Sequence, residues 1–221
     1  MQRHFDEELT ELKQKILRMG ALVEEQIQQA THALTSRDVD LAQEVINNDR
    51  RVNTLDVEVD EACLNLLALY QPAARDLRFI TTAMKISTDL ERMSDLAENI
   101  CERTIELNEE PQLKPYIDIP AMAEKCLKMV GEALDAFVRG DSVLARKVLE
   151  DDDEIDELNE QLFRELLSYM IENPKTISRA IRLSFISKYI ERIADHATNV
   201  AELVVYMVEG KIIRHTVTAE L

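Results

Sequence analysis

The 221-residue chain has no tryptophan, only four glycines and only five prolines. Glycine and proline are the residues that most often punctuate a chain, so their scarcity leaves room for long uninterrupted helices. Cysteine is sparse too. Cys63, Cys101 and Cys126 form no CxxC pair and have no histidine-rich neighbourhood. That pattern excludes a disulfide framework and a Cys/His zinc site, and it reads as reduced, mostly buried thiols of an intracellular protein. No apolar run approaches the roughly 20 residues that a membrane span needs. The N-terminus, Met1-Gln2-Arg3-His4-Phe5-Asp6, has no apolar h-region and continues acidic. A soluble cytoplasmic protein is expected.

Positive charge is also short: 26 Lys+Arg stand against 43 Asp+Glu, a net charge of −17. A phosphate backbone would be repelled by most of this field, which argues against nucleic acid, and anionic lipid is disfavoured for the same reason. Cations and basic protein patches are the partners that such a charge favours. Apolar residues nevertheless make up 46% of the chain, enough to bury a core. GxxxxGK[ST], GxGxxG and GxSxG are all missing, and no enzyme nucleophile emerges.

What is present is helical periodicity. Leu9, Leu12, Ile16, Met19, Val23, Ile27, Ala30 and Leu34 recur at steps of three and four, predicting a helix over about 6–36. Ser36-Arg37-Asp38 breaks it and offers N-cap chemistry to a second helix running to Tyr70. Gln71-Pro72 stops that one, and a third runs from about Ala74 to Leu107. The stretch from Glu109 through Pro111 and Pro115 to Pro120 is polar and proline-dense, a candidate linker. Three more helices follow, over about 120–138, from beyond Arg139-Gly140-Asp141 to about Ile171, and from beyond Asn173-Pro174 to about Gly210.

The restart is an internal repeat. With a shift of 100, Ile86, Ser87, Glu91, Arg92, Asp95, Ala97, Asn99 and Glu102 fall on identical residues at Ile186, Ser187, Glu191, Arg192, Asp195, Ala197, Asn199 and Glu202. With a shift of 103, Asp38, Leu41, Ala42, Val45, Asp49 and Leu55 fall on Asp141, Leu144, Ala145, Val148, Asp152 and Leu158. The prediction is an all-α fold of two pseudo-symmetric, spectrin-repeat-like three-helix bundles, residues 1–110 and 111–221.

At about 100° per residue, Glu91, Asp95, Asn99 and Glu102 share an arc of roughly 80° beside the buried face, and Glu191, Asp195, Asn199 and Glu202 repeat it. Like charges one turn apart repel by a few tenths of a kcal/mol, so something positive should compensate. One compensator is ordinary salt links from Arg92, Arg192 or neighbouring helices. The other is a metal ion: oxygen-only ligands suit Mg, Mn or Fe, and more than one ion could be held. Asp152 and Asp156 on the preceding helix, with Asp49 as the positional match in the first copy, are secondary candidates for the same sites. His196 becomes Leu96 in the first copy, so no shared ligand role is expected of it. Ser87 and Ser187 read as small packing residues. A carboxylate-bridged multi-metal hydrolase or oxidase, and a purely structural scaffold, are the alternative functions.

The paired motifs Asp89-Leu-Glu91-Arg92-Met-Ser-Asp95 with Asn99, and Tyr189-Ile-Glu191-Arg192-Ile-Ala-Asp195 with Asn199, resemble the signature of the PhoU family. So do Gln71-Pro72-Ala-Ala-Arg75-Asp76-Leu77-Arg78 and the ending Tyr206-Met-Val-Glu-Gly210 with Arg214-His215. Ser94 and Ala194 stand where that family usually has glycine. The resemblance implies a non-catalytic negative regulator of phosphate uptake and the phosphate-starvation response. Such a protein links the ATPase subunit of a phosphate ABC transporter to a sensor histidine kinase, is usually a homodimer, and associates with membrane complexes through its partners. Some members bind multinuclear metal clusters through E/D-xxx-D motifs, which here match Glu91/Asp95 and Glu191/Asp195. Fe, Mn, Zn or Mg are the ions implied.

Overall fold

A computed structural model describes residues 2–213, with side chains from His4 onward. The Arg214-His215 ending noted above lies outside the described residues. Six helices follow one another: α1 (Gln2–Ser36), α2 (Val39–Tyr70), α3 (Ala74–Asn108), α4 (Asp118–Arg139), α5 (Ser142–Glu172) and α6 (Ile177–Glu209), with a 3-10 turn at Pro174–Thr176. Helices α1–α3 and α4–α6 form the two expected bundles.

The punctuation works as the sequence predicts. Asp38 caps α2 by accepting a hydrogen bond from the Leu41 N–H at 2.9 Å, and Asp141 caps α5 by accepting from Val143 and Leu144 at 3.0 Å each. Gly140 closes α4 in the left-handed region, φ +64°, and its counterpart in the first copy is Arg37 at φ +59°. A side chain at such a φ is strained. Arg37 is held there because its guanidinium donates to the carbonyls of Asn108 (3.2 Å) and Glu110 (2.7 Å), at and just past the end of α3.

The two bundles share one continuous apolar core. Helices α3 and α6 pack along each other at its centre, α1 meets α4, and α2 and α5 lie on the outer flanks, each touching only its own bundle. Gly20 lets the two bundles approach, since a Cβ there would fall 2.4 Å from the Leu134 Cδ1 of α4. All three cysteines are free and buried within this core, and burial pushes the Cys63 and Cys101 thiols up to about 12.

The stretch 109–120 is not a loose linker. Lys114 is 8% exposed, its ammonium held by Asp118 at 2.6 Å and by Glu165, while Leu113 and Tyr116 pack on the core. Proline content marks where a helix cannot continue; it does not report whether the connecting backbone is tied down.

Candidate functional site

The polar seam between α2 and α3 is built on Asp49, which is buried. Its carboxylate accepts from the Asn53 amide at 2.6 Å, and it lies 2.7 Å from the Ser94 hydroxyl. Ser94 Oγ is also 2.7 Å from the side-chain amide of buried Gln26 on α1. A hydroxyl has one proton. It is therefore shared between two acceptors, the Asp49 carboxylate and the Gln26 side-chain oxygen. Ser94, the residue that departs from the resembled motif, thus anchors Asp49 where a glycine could not.

Around this anchor the carboxylates close up. Oxygens of Asp49, Asp95 and Glu98 lie within 4.8 Å of one another, the tightest such acidic group among the described residues. Burial, then the charge of Asp49, Glu102 and Asp95, pushes the Glu98 carboxyl above its ordinary range. Burial and Asp95 do the same to Glu91, with Asp56 and Asp49 adding to the effect and Arg92 opposing it. Arg92, itself exposed, spans Glu91 at 3.3 Å and Asp95 at 3.1 Å, so part of the expected salt linkage is present. Asn99 donates to the Asp95 main-chain carbonyl at 2.8 Å, while Glu102 pairs with Arg103 at 3.1 Å on the exposed side.

The second copy builds the same seam between α5 and α6 with different parts. Ser187 donates to Asn159 at 2.8 Å, as Ser87 does to Asp56 at 2.7 Å. These equivalent serines are therefore cross-helix ties and not only small packing residues. Asn159 in turn donates to Glu191 at 2.8 Å, and Lys188 pairs with the same carboxylate. Asp152 occupies the place of Asp49 but has Ala194 where Asp49 has Ser94, and Asp156 where Asp49 has Asn53. With donors replaced by a methyl group and an acid, burial and then the charges of Asp195, Asp156, Asp153 and Glu191 push Asp152 up to about 6. Burial likewise raises Asp156, with Glu191 next, and Asp195, with Asp156 next. Asn199 turns away from this cluster: its amide donates to Asp89 at 3.3 Å, across the α3–α6 seam, beside His196 Nδ1 at 2.8 Å from the same oxygen. Glu202 is half-buried, two turns beyond Asp195.

Glu98 and Asp56 are missed by sequence reasoning. Requiring identity in both copies discards them, because their counterparts are Thr198 and Asn159. The signal was helical spacing: Glu98 is three residues past Asp95, and Asp56 is seven past Asp49, each on the same face. Only in the first bundle, among the described residues, do three carboxylates converge within 4.8 Å. In the second, Asp152, Asp156 and Asp195 raise one another without meeting that closely, and in both a bound cation would relieve the repulsion.

A family model described as "PhoU domain" matches this chain twice, over residues 16–104 and 119–204. The phosphate-specific transport system accessory protein PhoU homolog of Aquifex aeolicus is 49% identical over 208 residues, spanning 94% of this chain and 94% of that one. The phosphate-specific transport system accessory protein PhoU of Escherichia coli K12 is 34% identical over 217 residues, spanning 98% and 90%. The crystal structure of PhoU from Pseudomonas aeruginosa superposes with a TM-score of 0.90 at 41% identity, covering 94% of this chain and all of that one. That of the phosphate transport system regulatory protein PhoU from Streptococcus pneumoniae superposes with a TM-score of 0.89 at 32% identity, covering 95% and 99%.

Proposed function

Because this chain belongs to the PhoU family, we propose that it is an accessory protein of a phosphate transport system and a negative regulator of the phosphate-starvation response. The observation that carries this is the extent of the match: relatives named as transport accessory proteins align with both repeats and nearly the whole length. In this reading the protein is a cytoplasmic, non-catalytic adaptor. Its helical surfaces dock the ATPase subunit of the transporter and a sensor histidine kinase, and it reaches the membrane only through them. No helix among the described residues is long and apolar enough to cross a membrane itself. The test is complementation. In a bacterium lacking its own PhoU, expression of this chain restores repression of a phosphate-starvation reporter at high phosphate. A reporter that stays fully active despite normal protein levels sinks the proposal.

The acidic clusters supply the metal part of the reading. Asp49, Asp95 and Glu98, with Glu91 beside them, would hold an ion in the first bundle. Asp152, Asp156, Glu191 and Asp195 would hold one in the second. All-oxygen donors fit Mg, Mn or Fe and fit Zn less well. Bound there, a cation would neutralise the flanks of α2–α3 and α5–α6 without altering the core.

Self-association is the remaining part. On α5, Phe163, Leu167 and Ile171 recur every four residues, and on antiparallel α6 so do Ile177, Ile181 and Phe185; all six are exposed. Their counterparts in the first bundle are Asp60, Leu64, Ala68, Leu77, Thr81 and Lys85, three of them polar, so the apolar face is continuous only in the second. Lone exposed apolar residues are ordinary, but a strip six residues long calls for a partner. The reading makes it the face of a homodimer. Sedimentation then gives a dimer at micromolar concentration, and Phe185→Glu together with Phe163→Asp gives a folded monomer. A wild-type monomer removes the homodimer from the reading and leaves this face for the other partners.

A further inference from the structure

A recess of about 530 Å³ opens at the end of the molecule where the α2–α3 turn, the α4–α5 turn and the last turn of α6 meet. In a chain of net charge −17, four cations line it, Lys13, Arg75, Arg78 and Arg139, from three different helices. Asp76 lines it as well, and Arg139 is paired with Asp135 at 3.0 Å. A surplus of two positive charges is left. Lys13 donates to the Val138 carbonyl and Arg78 Nε to the Met207 carbonyl at 3.2 Å, contacts that position both groups and leave their remaining N–H donors available.

The opposite end of the molecule is an internal comparison. There Arg179 and Arg182, the same i,i+3 pair one helical turn further along α6, meet carboxylates at the end of α3. Arg182 bonds Glu106 at 2.7 Å and Glu110 at 3.3 Å, and Arg179 lies 3.5 Å from Glu110. The residues of the second repeat that correspond to Glu106 and Glu110 are Tyr206 and Gly210. Neither can neutralise an arginine, yet Gly210 is in the matching place, since a Cβ there would lie 3.9 Å from Arg78 Nη1. Where one end carries its own anions, the other carries a cavity.

We propose that this recess binds a phosphate group, free or carried on a small organic molecule, with Arg75 and Arg78 as its main ligands. A surplus of two charges matches a phosphate dianion better than a single carboxylate, and cations on three helices surround a tetrahedral group rather than a planar one. The volume exceeds what inorganic phosphate fills, and the apolar wall of Leu9 and Phe79, both part-exposed, would take the body of an ester. The site is separate from the acidic clusters and does not depend on the regulatory role.

Calorimetric titration of the full chain, in chelator-treated buffer at fixed ionic strength, tests it with sodium phosphate, sodium acetate and adenosine 5′-monophosphate. Phosphate saturates one site per chain, acetate binds at least about tenfold more weakly, and Arg75→Gln weakens phosphate by about tenfold, the scale of one charge-assisted hydrogen bond. Arg182→Gln, at the self-neutralised end, leaves phosphate binding unchanged. Tighter binding of the monophosphate ester identifies an ester as the occupant, and tighter binding of inorganic phosphate identifies the free anion; both uphold the site. Acetate binding as well as phosphate, or Arg75→Gln binding as well as wild type, overturns it. Arg75 is exposed and anchors nothing, so its variant keeps the wild-type unfolding midpoint and the result stays readable even if Arg78→Gln, which loses the Met207 tie, does not fold.

Discussion

Adding Mn²⁺ to the metal-free protein at pH 7.5 raises its unfolding midpoint, and the variant Glu91→Gln/Asp95→Asn/Glu191→Gln/Asp195→Asn loses that response together with any metal retained on purification without chelators. The expectation follows from the repulsion written into the apo clusters. Glu91, Glu98, Asp152, Asp156 and Asp195 all have carboxyl groups raised by burial first and by neighbouring acids next. A cation at a hundred times its dissociation constant adds about 2.7 kcal/mol. In a chain of this size that is on the order of 5–10 °C. The pH dependence has a definite sign. A carboxyl raised in the folded state contributes stability that is complete below its unfolded value and is lost as pH rises through the folded one. For Asp152 that window runs from its ordinary value of 3.8 to about 6. Protons and metal therefore compete, and the Mn²⁺ response fades between pH 7 and 5. Asp152→Asn makes the apo protein more stable at pH 7.5 and no different at pH 4. No midpoint shift with Mn²⁺, Fe²⁺, Zn²⁺ or Mg²⁺, and no metal by plasma mass spectrometry, would leave the clusters as salt-linked, partner-facing surface.

Phe137→Ala lowers the stability of the folded chain by about 3–5 kcal/mol, the range for emptying a buried aromatic site. Phe137 is the largest of the fully buried side chains, at 1% exposure, and its ring stacks on Phe79 with centroids 5.4 Å apart and planes 11° from parallel. Phe79 belongs to α3 and Phe137 to α4, so the stack joins the two bundles. Truncation leaves a void at that junction, next to a recess already open to water. Urea unfolding followed by circular dichroism measures the change, and a loss below about 1 kcal/mol would mean that the junction collapses around the smaller side chain. One transition is expected rather than two, since a core continuous across both bundles gives neither a boundary at which to melt first.

Local signals were the legible ones. Asp38 could be read as a cap, and Pro72 and Pro174 as stops, because capping and chain termination act within a few residues. The three thiols are free and lie in the core, as their lack of a CxxC pair or a histidine-rich neighbourhood implied. What the sequence withheld depends on contacts between distant segments. The partner of His196 is Asp89, 107 residues away in the other bundle, and no helical periodicity joins them. Lys114 reads as part of a polar connection until Glu165 is brought beside it. The acidic clusters were half legible. The repeat exposed Glu91, Asp95, Glu191 and Asp195, but treating the copies as interchangeable hid Glu98 and Asp56, which differ between them. That difference also separates the two sites: Ser94 ties down Asp49, and Ala194 leaves Asp152 without an equivalent bond.

The bond between Asp89 and His196 bears on how the chain can pair. An isologous contact requires a surface to complement itself, each residue meeting in the partner what the partner meets in it. Two identical repeats joined along α3 and α6 would satisfy that condition, and a half-length chain could then rebuild the seam by pairing with its twin. Here the rotated counterparts of Asp89 and His196 are Tyr189 and Leu96. Two first repeats would set Asp89 against Leu96, and two second repeats would set Tyr189 against His196. Joining the halves in one polypeptide has released the seam from self-recognition: each half now fits its sibling and no longer fits its own copy.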